Sequence, residues 1–345
     1  MEKGKKRMAV LVGCNYPNTK YELHGCINDV IAMREVLIKR FGFDPSRIEL
    51  LTDAPAGSSL VVPTGANIKA ALNRMVDGAE AGDVLFFHYS GHGARIPSKK
   101  RGRPFRQDEA IVPTDFNLIT GNYSYYVYLI CFIVFKTKDM KSHKFADLDF
   151  RQLVSRLPKG TSFTILSDSC HSGGLIDKEK EQIGPYSIIQ NNGKECCSNP
   201  KTIPFQSVLQ HLSSLTRIST SDIGTHLLEF FGVDASIRFR LPLHELESFE
   251  SLKPDEGILL SGCQANETSA DMNPVKGGGK AYGAFSDAVQ RVLKENSGAL
   301  SNREVVMMAR KVLEEKGFDQ HPCLYCSDDN AEAKFLWQPT DDQSC

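Results

Sequence analysis

The sequence predicts an α/β fold built on a mainly parallel central sheet with helices on both faces. Two observations carry this expectation: short apolar runs that read as buried strands, and stretches of helical periodicity that alternate with them along the chain. With 345 residues the chain has ample length for a buried core, in one large domain or two smaller ones.

Met8 to Val12 is the first strand. Asn28 to Phe41 follows with apolar residues at Val30, Met33, Val36 and Leu37, the spacing of a helix with one face on a core. Arg47 to Leu51 is a second strand. Asn67 to Glu80 is the clearest helix, with Ile68, Ala71, Leu72, Met75, Val76 and Ala79 on one face and Gly82 expected to close it. Strands are then expected at Val84 to His88, Ala110 to Val112, Phe163 to Ser167 and Gly257 to Leu260. Helices are expected at Phe150 to Leu157, Tyr282 to Glu295 and Arg303 to Lys316, the last opened by a capping box of Ser301 and Glu304. Sheets of this kind place their sites beyond the carboxyl ends of the strands.

Two stretches break the rhythm. Residues 178–255 mix a polar segment, Gln190 to Pro204, with amphipathic pieces at Val208 to Leu215 and Ile223 to Phe231, and read as a linker rather than as sheet. They divide the chain into a large region, 1–177, and a small one, 256–345. The second break is residues 121–146, where a run from Tyr123 to Phe135 is apolar or aromatic apart from Ser124 and is followed by a basic tract. That run falls short of the roughly 20 residues a membrane-spanning helix needs, and as an uncharged β-prone segment it is an aggregation hazard.

Composition narrows the function classes. Lys and Arg number 41 against 42 Asp and Glu, so there is no polycation for nucleic acid and no long-range field for an acidic membrane surface. The polar start, with only Met8 to Val12 apolar, falls short of a secretory signal, so the default compartment is the cytoplasm, with the extracellular space (apoplast) left open. Ten scattered cysteines fit reduced thiols better than a disulfide scaffold.

Chemistry concentrates in two segments at strand ends: His88-Tyr89-Ser90-Gly91-His92-Gly93 and Asp168-Ser169-Cys170-His171-Ser172-Gly173. A thiol with an ordinary pKa of about 8.5 needs a base to act as a nucleophile at neutral pH. His92 is the better base, flanked by glycines that leave the backbone open to a substrate and to an oxyanion. His171 is the poorer one, because adjacent side chains on an extended backbone point apart. A lone cysteine is more often a small core residue, but the polar neighbours of Cys170 suit a strand mouth. Cys323-Leu-Tyr-Cys326 lacks a second pair at zinc-finger spacing, and no metal site is expected. The run Gly277 to Gly279 lacks the rest of a phosphate loop.

Five ordered segments resemble plant type II metacaspases, closest to the short-linker, metacaspase-9-like branch. They are Arg7 to Pro17, His24 to Val30, His88 to Gly93, Asp168 to Asp177 and Ser261 to Asp271. The resemblance implies a caspase-like fold with large (p20-like) and small (p10-like) regions and a cysteine endopeptidase that cleaves protein or peptide substrates after Arg or Lys. By motif matching, His92 is the general base, Cys170 the nucleophile, and Cys26, Asp29, Ser90 and Asp168 the basic-residue pocket. The main-chain groups of Gly93 and Cys170 form the oxyanion site. The resemblance further implies a zymogen that cuts its own linker, for which Lys201 is better placed than Lys178, Lys180 or Lys194. It also implies a monomer and a role in programmed cell death or stress proteolysis.

The chain departs from the family in two places. His92 and Cys170 stand 78 residues apart, against roughly 50 in caspase-type enzymes, and setting aside the 26 residues 121–146 restores 52. The segment therefore reads as an insertion in a loop before a helix, with a retained intron or an error in the gene model as the leading explanation. Poor solubility is expected, relieved by its deletion; a catalytically impaired scaffold is the alternative function it raises. The second departure lies at Ser98 to Glu109, rich in Lys and Arg where the family commonly carries a calcium-binding acidic cluster, so calcium independence is expected.

Overall fold

The computed structural model describes residues 5–54, 61–97, 107–120, 150–170, 175, 181–184, 198–240, 257–264, 267–273 and 279–336. The inserted segment 121–146, His171, Cys196, Cys197 and the lysines at 178, 180 and 194 lie outside them.

In chain order the elements are β1 (Arg7–Gly13), α1 (Cys26–Phe41), β2 (Ile48–Thr52), α2 (Gly65–Asp77), β3 (Val84–Ser90), β4 (Gly93–Pro97), β5 (Gln107–Ile111), β6 (Ile119–Thr120) and α3 (Phe150–Ser155). They continue with β7 (Ser162–Asp168), β8 (Glu181–Ile183), β9 (Ser198–Pro200), α4 (Phe205–Thr216), α5 (Ile223–Phe231), α6 (Ile237–Arg240) and β10 (Ile258–Ser261). The last are β11 (Ala270–Met272), β12 (Tyr282–Gly283), α7 (Ala284–Glu295), α8 (Asn302–Glu315), β13 (Cys323–Tyr325) and α9 (Asp328–Glu332).

The main sheet runs β2-β1-β3-β7-β10-β13-β8. Its first five strands are parallel, and β13 and β8 add an antiparallel edge. Every residue of β3 is buried, as expected of a parallel strand with helices on both sides. One apolar cluster joins one sheet face to α1, α7 and α8, and a second joins the other face to α2 and α3. The expected α/β fold with a mainly parallel sheet holds, and the large and small regions share this one sheet.

Local chemistry sets the ends of the helices. Gly42 closes α1 in the left-handed region at φ +65° and donates its N–H to the Leu37 carbonyl. The Ser301–Glu304 capping box opens α8 as expected. The α2 helix stops earlier than its periodicity suggests, at Gly78, whose N–H donates to the Arg74 carbonyl. Gly82, at φ +88°, instead shapes the turn that brings Val84 to the Lys6 carbonyl beside β1.

Several elements differ from expectation because tertiary pairing overrides local pattern. Ala110 belongs to β5, which pairs antiparallel with β4 and β6 in a separate small sheet. Tyr282–Gly283 is a strand on β11 rather than the first turn of a helix. Within the stretch read as linker, β8 completes the main sheet and β9 pairs with β11. The helices α4 and α5 pack on the β4–β5 sheet in a third apolar cluster.

Candidate active site

The site lies where β3 and β7 end. Ser90 and Asp168 are register partners on these neighbouring strands, and His92 and Cys170 each come two residues later. Parallel strands in this register bring two successive functional residues from each segment to one rim.

His92 is held from three sides. Its N–H donates to Tyr16 Oη (3.0 Å), its ring lies 4.8 Å from that of Tyr16, and its Nε2 meets the Tyr21 carbonyl at 2.8 Å. Tyr16 sits at φ +50°, a conformation fixed by Asp53, whose carboxylate accepts the N–H groups of Asn15 (2.8 Å) and Tyr16 (2.7 Å). A carbonyl can only accept, so Nε2 carries the proton in the neutral ring and Nδ1 is the basic nitrogen. Nδ1 is buried without a hydrogen-bond partner. Burial pulls the imidazole pKa down to about 4 and the Lys201 charge lowers it further, against the opposing pull of the Tyr21 carbonyl and the Lys201 main chain.

Cys170 is fully buried, and its Sγ accepts the Ser269 N–H at 3.0 Å. The residue poised beside it is Lys201. The Lys201 carbonyl accepts the N–H groups of Gly93 (3.0 Å) and Cys170 (3.2 Å), and its N–H donates to the Ser269 carbonyl at 2.8 Å. Gly93 must lack a side chain, since a Cβ there would collide with the Cys170 carbonyl.

The Lys201 side chain is wholly buried, with Nζ 2.9 Å from Ser90 Oγ, 3.2 Å from Asp168 Oδ2 and 3.5 Å from Asp29 Oδ2. Main-chain donors brace both carboxylates. Asp29 accepts the Gly283 N–H (2.8 and 3.0 Å) and the Ser90 hydroxyl (2.7 Å). Asp168 accepts the Ser286 N–H in the first turn of α7 (2.8 Å) and the Ser269 hydroxyl (2.5 Å).

Two carboxylates sharing one ammonium are driven apart. Burial pushes Asp29 up to about 7, with Asp168 adding to the rise and Lys201 opposing it. Burial also works against the Asp168 anion, but there the Lys201 charge and the Ser269 and Ser286 donors prevail and hold it below the usual range. Lys201 is itself raised: Asp168, the Cys26 thiol and Asp29 outweigh its burial. Cys26, at the start of α1, is pushed well up by burial although Lys201 and Ser90 favour its thiolate.

The structure thus gathers His92, Cys170, Gly93, Asp29, Ser90 and Asp168 around Lys201, with Cys26 alongside. The rival CxxC lies elsewhere, on and just beyond β13, where Cys323 Sγ donates to the His321 carbonyl (3.5 Å). Sequence reasoning missed Gly283, Ser269, Ser286, Tyr16 and Tyr21. Ser269 stands inside one of the five family-like segments, but Gly283 and Ser286 act through main-chain N–H groups, which leave no mark in residue type.

A buried thiol, a histidine and paired N–H donors on one carbonyl, at the strand ends of an α/β sheet, are the parts that a cysteine peptidase requires. Comparison with known proteins agrees: the caspase domain family matches residues 6–333. Metacaspase-9 of Arabidopsis thaliana is 61% identical, over 97% of this chain and 98% of its own length. Metacaspase-6 of the same plant is 35% identical over 96% and 99%, and a Schizosaccharomyces pombe metacaspase-1 is 31% identical over 93% and 67%. A solved Geobacter sulfurreducens protein shares the fold with a TM-score of 0.57 at 19% identity, covering 95% of this chain and 97% of its own. The chain belongs to the caspase-domain cysteine peptidases and, within them, to the type II metacaspases of plants.

Proposed function

We propose that this chain is a self-processing endopeptidase that cleaves after Lys or Arg and cuts its own linker at Lys201–Thr202. The observation that carries the reading is the placement of Lys201. Its ammonium lies among Asp29, Ser90 and Asp168 while its carbonyl accepts the Gly93 and Cys170 N–H groups. This is the pose of a substrate before attack.

In this mechanism Cys170 Sγ loses its proton to His92 Nδ1 and attacks the Lys201 carbonyl carbon. The oxyanion forms between the Gly93 and Cys170 N–H groups. The C–N bond breaks as His92 returns the proton to the Thr202 amine, and water then hydrolyses the thioester. Two buried carboxylates and a hydroxyl favour Lys or Arg and reject an acidic side chain, which would be left unpaired beside like charge.

Hydrolysis of a short Arg-ended fluorogenic peptide by this chain, compared with Cys170→Ala, tests the activity. Equal signals would favour the alternative of an impaired scaffold. Lys201→Ala should remove or shift the two-fragment pattern, and unchanged fragments would move the cut elsewhere. Calcium independence belongs to the same reading: Asp108, in the stretch concerned, is ion-paired with Arg238. Strong activation by added calcium would overturn it. The monomeric state and the setting in cell death or stress proteolysis rest on the family resemblance.

A further inference from the structure

The segment occupying the site extends past the bond to be cut and traces the path of the chain on that side. Gly93 bonds the chain on both sides of Lys201–Thr202: its N–H donates to the Lys201 carbonyl and its carbonyl accepts the Ile203 N–H, each at 3.0 Å. Thr202 is paired with Gly93 in parallel register. These main-chain bonds ignore side-chain identity, so any bound substrate is led along the same path. An extended backbone alternates its side chains. Thr202 is accordingly part-exposed, whereas Ile203 is wholly buried. Before the cut, Asn199 and Pro200 are exposed, although β9 pairs them with β11.

We propose that the site carries a second specificity subsite, which selects an aliphatic side chain at the second residue after the cleaved bond. Ile203 belongs to the apolar cluster of Ala94, Ile96, Val112, Phe116 and Leu118, residues of the β4–β5 sheet and the loop beyond it. Helix α4 covers the same cluster, but those five residues belong to the catalytic region and remain after the linker is cut. An incoming aliphatic side chain would thus meet the floor that Ile203 now occupies, whereas a carboxylate would lose its hydration among apolar groups.

The inference rests on the peptidase reading, and its test separates the two. The full chain, left to process itself, is given two internally quenched peptides with Arg before the cut and Ala after it, then Ile in one and Asp in the other. A third substrate, an Arg amide of a fluorophore, has no residue beyond the cut. Burying an isoleucine side chain corresponds to roughly ten- to a hundredfold in kcat/KM. A preference for Ile of about tenfold or more supports the subsite. A smaller ratio, with the amide hydrolysed, overturns the subsite alone. No hydrolysis of any of the three overturns both readings.

Discussion

Gly283 has ordinary strand angles, φ −79° and ψ 132°, so its backbone tolerates any residue; its surroundings do not. A Cβ there would press on Lys201 Nζ and on the carboxylates of Asp168 and Asp29. Gly283→Ala should lower kcat/KM for Arg and Lys substrates by about 100-fold, the scale of a misplacement near 1 Å, with little change in thermal midpoint. A variant of wild-type activity would show that the pocket floor yields. The titrating groups make a separate prediction. A raised carboxyl loses its charge at a higher pH than an ordinary one, so as pH falls the pocket is left with only the Asp168 charge and KM for basic substrates should rise. A lowered imidazole stays neutral as pH falls, so kcat should hold until pH approaches about 4. Separate kcat and KM profiles for the Arg amide check both, and Asp29→Asn should remove the KM trend.

Among the elements, those that can be read locally are those that local chemistry determines. The α8 helix shows its capping box and its apolar stripe in the sequence, and both are present in the fold. Ser301→Ala should cost about 1 kcal/mol in chemical denaturation and leave kcat/KM unchanged, because α8 braces the sheet away from the site. The long parallel strands were equally readable, being continuous apolar runs. Short strands such as β8, β9, β11 and β12 were not, since two or three residues carry no period and exist only through their partners. The same division runs through the site. His92 and Cys170 announce themselves by residue type, but the donors that brace Asp29 and Asp168 are main-chain groups placed by those short strands and by the start of α7.

At the scale of the molecule, the cut at Lys201 would fall on a chain whose sheet closes across it. Strand β7 precedes the bond and pairs with β10, which comes after it, and β13 pairs in turn with β8. The two fragments should therefore co-elute in native size exclusion and separate only in denaturant. Separation without denaturant would mean that the sheet does not hold them. The Ser90–Asp168 register pair reaches further. In the proposed reading, nucleophile, base and both strand-borne pocket residues hang on the same ladder, so reaction and recognition are inherited together. A lineage seeking a new preference cannot slide one strand without dismantling catalysis. It must exchange side chains one at a time, or gain its new selectivity from parts that the ladder does not carry.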